Sequence, residues 1–437
     1  MGYIKNMKRI NRIKDGLIKR NTTLMKYAFK AGKSILSNRD NPQKIIEELL
    51  GKDVSHFVDD LSHYKGSITK AGQILSQYAE YFLDEEMTKV LRNLQHSTHF
   101  LSFEQISSQV PPEYFTKLNI NTEPLAAASI GQVHQATIKE TGEEIVLKIQ
   151  YKGIDKAING DLFFIKLLVK NLKIFPKGVD LTDFFEEIKR VLLGEMDYKR
   201  EIDFQKKYQD ILDDPYFKTT KVYDDFCSEK VIALEYIEGS SISDLDVDNL
   251  DKDKINLLGE KLFENFLKEI YLYGLVQSDA HGANFIVPKE LDSLYLIDFG
   301  ACLEYDDKTL EFYRQFLIHG FNRDREKFLE EFYGFWDSTN KQITIDEDLL
   351  WEYIILTTEP LHSKNYSWAQ TDLPDRAYPL AQKMMRTMKY KSAPSEMIFI
   401  DRKLIGIFTL LRKLKCDFNV NEVYLRVINE YKRRSHE

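Results

Sequence analysis

Apolar residues recur along the chain with two different periods, and the two-residue period predicts strands. In residues 144–150, EIVLKIQ, three aliphatic residues share one face while Val146 and Lys148 share the other. The Thr-Gly pair at 141–142 predicts a hairpin turn before this strand. Residues 230–237, KVIALEYI, form a continuous apolar run, which predicts a buried strand.

Spacings of three and four residues predict the helices. Helical structure is expected over 43–110, 180–208, 253–273 and most of 306–437. The last of these stretches contains three tryptophans that are expected in the core, Trp336, Trp351 and Trp368.

A short acidic motif interrupts this pattern in residues 276–304, VQSDAHGANFIVPKELDSLYLIDFGACLE. Asp279 precedes Asn284 by five residues, and a later apolar strand ends in Asp298-Phe299-Gly300. This order resembles the catalytic loop and the DFG element of protein-kinase-like phosphotransferases. There the first Asp addresses the attacking hydroxyl, while the Asn and the second Asp hold magnesium. A DFG tripeptide alone arises by chance, so the ordered set carries this prediction.

Two further features are typical of a phosphate-binding site. The small residues of 126–131, AAASIG, allow backbone N–H groups to approach a phosphate closely. Lys148 matches the strand lysine of kinases, although an edge-strand lysine facing water is the alternative when it is taken alone. A kinase lysine also needs a helix glutamate, for which Glu195 and Glu201 are candidates.

The end of the 230–237 strand predicts where an adenine ring would dock. Gly239 breaks the strand and forms a hinge between a mostly β lobe and a helical lobe. Backbone groups beside such a hinge are the expected adenine contacts. Earlier in the chain, Lys70 and Gln73 share a helix face next to Gly72. Because glycine weakens a helix interior, Gly72 suggests close approach by another element.

Composition limits the class of protein. The 437 residues suggest two or three domain-sized units, and 43% hydrophobic with 30% charged residues predicts a globular core. A net charge of -8 argues against a nucleic-acid partner. Three widely spaced cysteines show neither zinc spacing nor a disulfide framework, which favours a reducing compartment. Neither a membrane-spanning run nor a secretory signal is expected.

The positive charge is concentrated at the N-terminus. Residues 1–34 carry ten Lys or Arg and one acidic residue, Asp15, with apolar residues at helical spacing. A basic amphipathic helix can pack on the protein body, lie on an anionic membrane or serve as a targeting peptide. These three interpretations stay open at the level of sequence. Gly2 lacks a Ser or Thr at position 6, so myristoylation is not expected.

Together these motifs resemble the UbiB/ADCK family of atypical protein-kinase-like proteins. The similarity covers roughly residues 60–305 and, less sharply, RKLIGIFTLLRKL at 402–414. Ordinary kinases have a glycine-rich loop instead of the alanine-rich one, and they lack the KxGQ helix. The motifs that carry the resemblance are Lys70-Ala71-Gly72-Gln73, AAASIGQVH at 126–134, VLKIQY at 146–151, Glu195-Met196-Asp197, Glu201, Asp279 with Asn284, and DFG at 298–300.

The resemblance implies a bilobal, protein-kinase-like α+β fold. A small β-rich N-lobe and a helical C-lobe would be joined to an N-terminal helical extension covering the active site. The expected domains are a basic amphipathic segment at 1–40, the KxGQ extension at 41–110, the N-lobe at 111–239 and the C-lobe at 240–437.

The resemblance also implies residue roles. Lys148 would contact the ATP phosphates and pair with Glu201, Asp279 would be the catalytic aspartate, and Asn284 and Asp298 would bind Mg²⁺. A regulatory set would place Lys70 against Glu195, and its members are Lys70, Gln73, Glu195 and Asp197. The remaining nucleotide contacts are expected at Ala126, Ala127, Ala128, Ser129, Ile130, Val146, Glu235 and Ile237.

The implied function is that of a Mg²⁺-dependent, ATP-binding atypical kinase or ATPase in ubiquinone biosynthesis or lipid metabolism, because the extension would block protein substrates. The alternative is a catalytically weak nucleotide-sensing scaffold that binds lipid or biosynthetic enzymes. An aminoglycoside-kinase-like phosphotransferase is disfavoured by the alanine-rich loop and the KxGQ helix. The expected partners are nucleotide, isoprenoid quinone precursors or lipid, and a membrane surface. The expected location is cytoplasmic or peripheral on the membrane, on the matrix side in a mitochondrion.

One motif departs from the family pattern. The common HADPHPGN is QSDAHGAN here, so Gln277 replaces the first His, and Ala280 and Gly282 replace the prolines. Metal ligation is expected to survive, whereas loss of both prolines predicts a freer loop. His281 is expected to be a structural hydrogen-bonding residue, since Asp279 already fills the role of the base.

Overall fold

The computed structural model describes residues 8–10, 99–128, 130–171, 182–338, 343–387, 389–390 and 395–435. The chain divides into two compact units. Unit 1 comprises Met1–Arg200 and Lys221–Tyr236, and unit 2 comprises Glu201–Thr220 and Ile237–Glu437.

The described residues form short strands and longer helices. The strands are β1 (Lys8–Ile10), β2 (His99–Leu101), β3 (Leu118–Ile120), β4 (Ala126–Ala127), β5 (Gly131–Ile138), β6 (Glu144–Gln150), β7 (Phe217–Thr219), β8 (Val231–Glu235), β9 (Ser240–Ser241), β10 (Leu275–Gln277), β11 (Phe285–Val287), β12 (Leu294–Leu296), β13 (Cys302–Glu304), β14 (Ile343–Thr344), β15 (Tyr366–Ser367), β16 (Lys389–Tyr390) and β17 (Asp417–Phe418). The α-helices are α1 (Phe103–Ile106), α2 (Tyr114–Lys117), α3 (Ile154–Asn171), α4 (Thr182–Met196), α5 (Tyr198–Ile211), α6 (Lys252–Lys268), α7 (Asp307–Asn322), α8 (Arg325–Ser338), α9 (Glu347–Thr357), α10 (Leu373–Thr387), α11 (Ser395–Leu414) and α12 (Val420–Arg434).

Unit 1 contains an antiparallel sheet in the order β3-β5-β6-β8, with β4 also paired to β5. The predicted hairpin is confirmed, and Gly142 takes the left-handed turn conformation with φ 76°. The aliphatic face of β6 is fully buried, as its alternation predicts. Because β6 pairs on both sides, Lys148 is not an edge-strand residue, and that alternative is wrong.

Two local predictions need correction in unit 1, and one helix was not predicted. The helix expected over 180–208 is interrupted at Asp197, whose Oδ1 accepts from the Arg200 backbone N–H at 3.0 Å and caps α5. Helix α3 was not predicted, because Gly160 weakens its propensity while a buried stripe of apolar residues stabilises it. Residues 99–101, inside a stretch expected to be helical, form β2 instead.

Unit 2 is mainly helical, as predicted, and carries short sheets. Helix α6 is central and packs against α11 and α12. It ends in one π-helical turn, Glu269–Tyr273, followed by Gly274 with φ 69°, which turns the chain into β10. Trp336 and Trp368 are buried in the core, as expected, whereas Trp351 is only half-buried.

Cys302 and Cys416 are buried, and Cys227 is half-buried. All three cysteines are free thiols. Burial raises the pKa of the Cys416 thiol to about 12 and raises the pKa of Cys302 well above its usual range, so both remain protonated. Among the described helices, none is long and apolar enough to cross a membrane.

Candidate functional site

Two antiparallel ladders hold the acidic motifs of unit 2 together. The Asp279 loop (residues 278–284) runs from β10 to β11, and the DFG loop (residues 297–301) runs from β12 to β13. Because β10 pairs with β13 and β11 pairs with β12, the two loops are fixed against each other at both ends. The Ser278 N–H also donates to the Ala301 carbonyl at 3.1 Å, and the Ile297 N–H donates to the Asn284 carbonyl at 3.0 Å.

The expected metal ligands are oriented by hydrogen bonds inside these loops. Asn284 donates from Nδ2 to the Asp279 carbonyl at 2.9 Å, which leaves its amide oxygen as an acceptor. Asp298 accepts from the Gly300 backbone N–H through Oδ1 at 3.0 Å. His281 accepts from the Ala283 N–H through Nδ1 at 3.2 Å, so it makes the structural hydrogen bond expected of it.

Gln277, the residue in place of the family histidine, bridges the two loops. Its Nε2 donates to the Asp279 carbonyl at 3.1 Å and to the Asp298 carbonyl at 3.3 Å. The side chain is fully buried. A neutral amide therefore ties together the two aspartates on which the predicted chemistry depends.

The Asp279 loop also packs against α11. A Cβ on Gly406 would lie 2.8 Å from the Ala280 Cβ, and a Cβ on Gly282 would lie 3.2 Å from a Leu410 methyl carbon. Gly406 and Leu410 are four residues apart and share one helix face. The positions where the family motif has proline thus contact a packed helix, which restricts the loop by tertiary contact instead of by a pyrrolidine ring.

The same face of α11 contributes a buried cation. Arg402, one turn before Gly406, donates from Nη2 to Asp279 Oδ1 at 2.5 Å. The Arg402 side chain is 3% exposed and that of Asp279 is 11% exposed. Charge-assisted bonds of this kind are the strong ones, particularly when water is excluded. The expected catalytic aspartate is therefore already engaged by a guanidinium.

A second buried ion pair involves Lys403, the next residue of α11. Lys403 Nζ is 2.9 Å from Glu269 Oε2, in the π-helical turn. Glu269 Oε1 also accepts from the Tyr208 hydroxyl at 2.7 Å and from the Gln277 backbone N–H at 3.4 Å. Burial raises the pKa of the Glu269 carboxyl, and the Lys403 ammonium opposes that rise. This network connects α5, α6 and α11 to the start of the Asp279 loop.

The roles of Glu269, Arg402 and Lys403 were not predicted from the sequence. The available signal was an adjacent pair of cations in the otherwise apolar RKLIGIFTLL segment of α11. Charged residues are seldom fully buried unless they are paired, so such a pair predicts buried acidic partners. Their identity depends on the tertiary fold, because Asp279 and Glu269 are more than 120 residues away in sequence.

In unit 1, the alanine-rich loop (residues 126–131) forms a tight turn. Ala126 pairs with Val133 and Ala127 with Gln132, and the Ala128 N–H donates to the Gly131 carbonyl at 2.9 Å. Gly131 is required because a Cβ there would lie 2.5 Å from the Ile149 carbonyl oxygen. Ile130 is buried, and Ser129 lies outside the described residues.

Lys148 sits in the middle of the unit 1 sheet. It pairs with Val133 on β5 and Ile232 on β8, is 8% exposed, and its Nζ lies 5.6 Å from the Tyr198 ring centroid. Val146 is half-buried on the same face.

The other expected site residues occupy several elements. Glu195 is buried near the end of α4, Glu201 is buried on α5, and Asp197 is the exposed cap between these helices. Glu235 ends β8 and accepts from the Lys221 N–H, and Ile237 follows, half-buried. Lys70 and Gln73 lie outside the described residues, so the roles of the regulatory set stay predictions. The pairing of Lys148 with Glu201 also stays a prediction.

The donor set of unit 2 suits magnesium. No group of three or more His, Cys, Asp or Glu side chains in the described ranges forms a preassembled metal site. Magnesium is usually bound through one or two carboxylates together with substrate phosphates and water. The oxygen donors Asp298 and Asn284 fit that pattern, whereas a structural zinc site would need nitrogen or sulfur ligands.

The fold and these paired loops define a kinase-like protein. The family model of the ABC1 atypical kinase-like domain matches residues 93–332, more than half of the chain. The chain therefore belongs to the ABC1 atypical kinase-like family, and the predicted family and α+β fold class are confirmed.

Individual relatives resemble most of the chain. Atypical kinase COQ8B, mitochondrial, of Danio rerio is 28% identical over 88% of the chain and 62% of its own length. Atypical kinase COQ8, mitochondrial, of Saccharomyces cerevisiae is 26% identical over 87% of the chain and 77% of its own length. The chain spans about three fifths of the length of the Danio rerio relative.

A solved structure shares the fold. Rv3197 from Mycobacterium tuberculosis, determined in complex with erythromycin, aligns with a TM-score of 0.56 at 19% identity. The alignment covers 94% of this chain and 98% of that one.

Proposed function

We propose that the chain is a Mg²⁺-dependent, ATP-binding atypical kinase or ATPase of the UbiB type. The observation that carries this proposal is the coupling of the Asp279 and DFG loops. Gln277 donates to the carbonyls of both aspartates, and Asn284 uses its amide nitrogen on Asp279, leaving oxygen for metal. Phosphoryl transfer depends mainly on such positioning and on charge stabilisation.

Each proposed role follows from the chemistry of the side chain. Asp298 and Asn284 would hold Mg²⁺, which screens the negative charge of the phosphates. Lys148 would bind phosphate and the alanine-rich loop would offer backbone N–H groups to it. Asp279 would orient the attacking hydroxyl or water through a carboxylate oxygen, and Arg402 would keep that carboxylate in a fixed orientation.

The cellular role is proposed from the relatives. Several are named atypical kinase COQ8 and described as mitochondrial. A role in coenzyme Q biosynthesis or lipid metabolism follows by analogy, with isoprenoid quinone precursors or a related lipid as partners. Attachment would be peripheral, on the matrix side of a mitochondrial membrane or the cytoplasmic face of a bacterial one.

One observation favours the second candidate, a nucleotide-sensing scaffold with little turnover. The Asp279 carboxylate is engaged by Arg402 and nearly buried, so it is less available as a base than an exposed aspartate. A scaffold would bind ATP with Mg²⁺ yet show no hydrolysis, with or without lipid, and Asp279→Ala would leave its cellular role intact.

Thermal unfolding with ATP or ADP, with and without Mg²⁺, tests nucleotide binding. A ligand at 100 times its Kd adds about 2.7 kcal/mol, which should raise the Tm by a few degrees. The rise should require Mg²⁺, be lost in Asp298→Asn, and persist in Asp210→Asn, an exposed control on α5. Absence of any nucleotide-dependent shift in the wild type would contradict the proposal.

A further inference from the structure

Arg402 is a buried cation with unused hydrogen-bonding capacity. Its guanidinium offers five N–H donors on three nitrogen atoms in a rigid plane. Nη2 is bonded to Asp279, but Nε and Nη1 find no acceptor among the residues that the structure describes. With the side chain 3% exposed, water cannot freely compensate for the missing bonds.

Such an arrangement is unfavourable unless an anion completes it. Buried donors without acceptors forfeit their solvation, and the loss is greater for a charged group. The Asp279 carboxylate uses a single nitrogen of Arg402, although a guanidinium fork suits two parallel bonds to a carboxylate or phosphate. The free donors belong to the same rigid plane as Nη2, so they lie next to the Asp279 carboxylate.

We propose that Arg402 is a specificity residue for the terminal phosphate of ATP, a role that rests on the proposed nucleotide site. Nε or Nη1 would donate to an oxygen of the phosphate that distinguishes ATP from ADP, while Nη2 keeps its bond to Asp279. An arginine supplied by the same chain stabilises phosphoryl charge in other phosphotransferases. Here the helix α11, outside the motif loops, would supply it.

The packing of α11 gives Arg402 a defined position. Gly406 and Leu410 follow Arg402 at intervals of four residues and contact Ala280 and Gly282 of the Asp279 loop. The guanidinium is therefore anchored by its helix on one side and by Asp279 on the other. Preorganised charge of this kind acts without reorganisation cost when the ligand binds.

Calorimetric titration of Mg·ATP and Mg·ADP tests the proposal. Arg402→Met should weaken ATP binding about tenfold or more, the value of one charge-assisted hydrogen bond, and leave ADP binding within about twofold. Arg402→Lys keeps the charge without the fork and should give a smaller loss, again for ATP only. Arg412→Met, an exposed arginine on the same helix, should change neither affinity.

The outcomes separate this inference from the proposed function. Equal weakening of ATP and ADP in Arg402→Met would show that Arg402 only positions Asp279 and would overturn the inference, with the nucleotide site intact. If Arg402→Met does not fold, the ATP to ADP affinity ratio of Arg402→Lys decides, and an unchanged ratio overturns the inference. Wild-type protein that binds neither nucleotide contradicts the proposed function, and the inference with it.

Discussion

Gly406 of α11 and Ala280 of the Asp279 loop are in such close contact that a Cβ on Gly406 would lie 2.8 Å from both the Cβ and the carbonyl oxygen of Ala280. Gly406→Ala must therefore displace the helix or the loop. We expect a loss of about 1–3 kcal/mol in unfolding free energy and weaker Mg·ATP binding, measured by urea unfolding and calorimetry.

Gly334→Ala is the matched control for this prediction. Gly334 lies inside α8, and a Cβ there would meet nothing within 4 Å. The same substitution should therefore gain about 0.5–1 kcal/mol through helix propensity. A Gly406→Ala protein that is as stable as Gly334→Ala and binds nucleotide normally would contradict the proposed close packing.

Gln277 joins the Asp279 and DFG loops through one side-chain nitrogen. Gln277→Leu removes both donations, and the Asp279 carbonyl then keeps only the bonds from the Asn284 amide and the His281 N–H among the described residues. We expect a loss of about 1–3 kcal/mol and reduced Mg²⁺-dependent stabilisation by nucleotide, measured by thermal unfolding. Gln277→His, which introduces the common family residue, should be less stable than the wild type but more stable than Gln277→Leu, and should regain part of the Mg²⁺-dependent stabilisation. Gln209→Leu, at an exposed position on α5, should change neither the stability nor the Mg²⁺ dependence. Normal Mg²⁺ dependence in Gln277→Leu would show that the bridge is dispensable.

The motif loops were predictable because their determinants are local. Strand alternation places Lys148 beside Val146 on one face of β6, and the order of Asp279, Asn284 and Asp298 along the chain identifies the two loops. Each loop is defined by the strand and the turn next to it in the sequence. Its prediction therefore needs no contact between residues that are far apart in the chain.

The supporting cations were not predictable in the same way. Arg402 and Lys403 meet their acidic partners only when α11 packs on the Asp279 loop and on α6, both of which are far away in sequence. Likewise, the break at Asp197 depends on one side-chain cap that competes with a continuous helical pattern. Periodicity identifies which residues are buried but does not identify their partners.

Removal of one partner from the buried Lys403–Glu269 ion pair is expected to destabilise the fold strongly. Lys403→Met leaves the Glu269 carboxylate buried without its cation, and this should cost about 3–5 kcal/mol of unfolding free energy. The double variant Lys403→Met/Glu269→Gln should recover most of that loss, because neither charge remains. Lys289→Met, an exposed lysine in a turn, is the control and should have little effect. Urea unfolding of these proteins and of Glu269→Gln measures their unfolding free energies. If the losses of the two single substitutions simply add up in the double variant, the pairing is contradicted.

The alanine-rich loop is expected to tune nucleotide preference. Ala128→Gly adds backbone freedom worth about 0.5–1 kcal/mol at a position whose N–H donates to the Gly131 carbonyl. The ratio of ATP to ADP affinities should change, whereas Ala369→Gly, in an exposed turn, should leave it unaltered. Calorimetric titration measures the ratio. An unchanged ratio for glycine variants at Ala126, Ala127 and Ala128 would exclude this role.

His134 should make the stability of unit 1 depend on pH. Its Nδ1 donates to the Asn121 carbonyl and its Nε2 accepts from Gln132, both at 2.8 Å, so the fold holds the neutral ring. Burial lowers the pKa of His134 below its ordinary 6.5. The unfolded chain then binds the proton more readily, and unfolding free energy should fall as pH drops below about 6.5 and stay level above it. Hydrogen exchange of β5 amides at about pH 7.5 and pH 5.5 measures this, and His134→Gln should flatten the difference. An equal pH dependence in that variant would assign the effect to other groups.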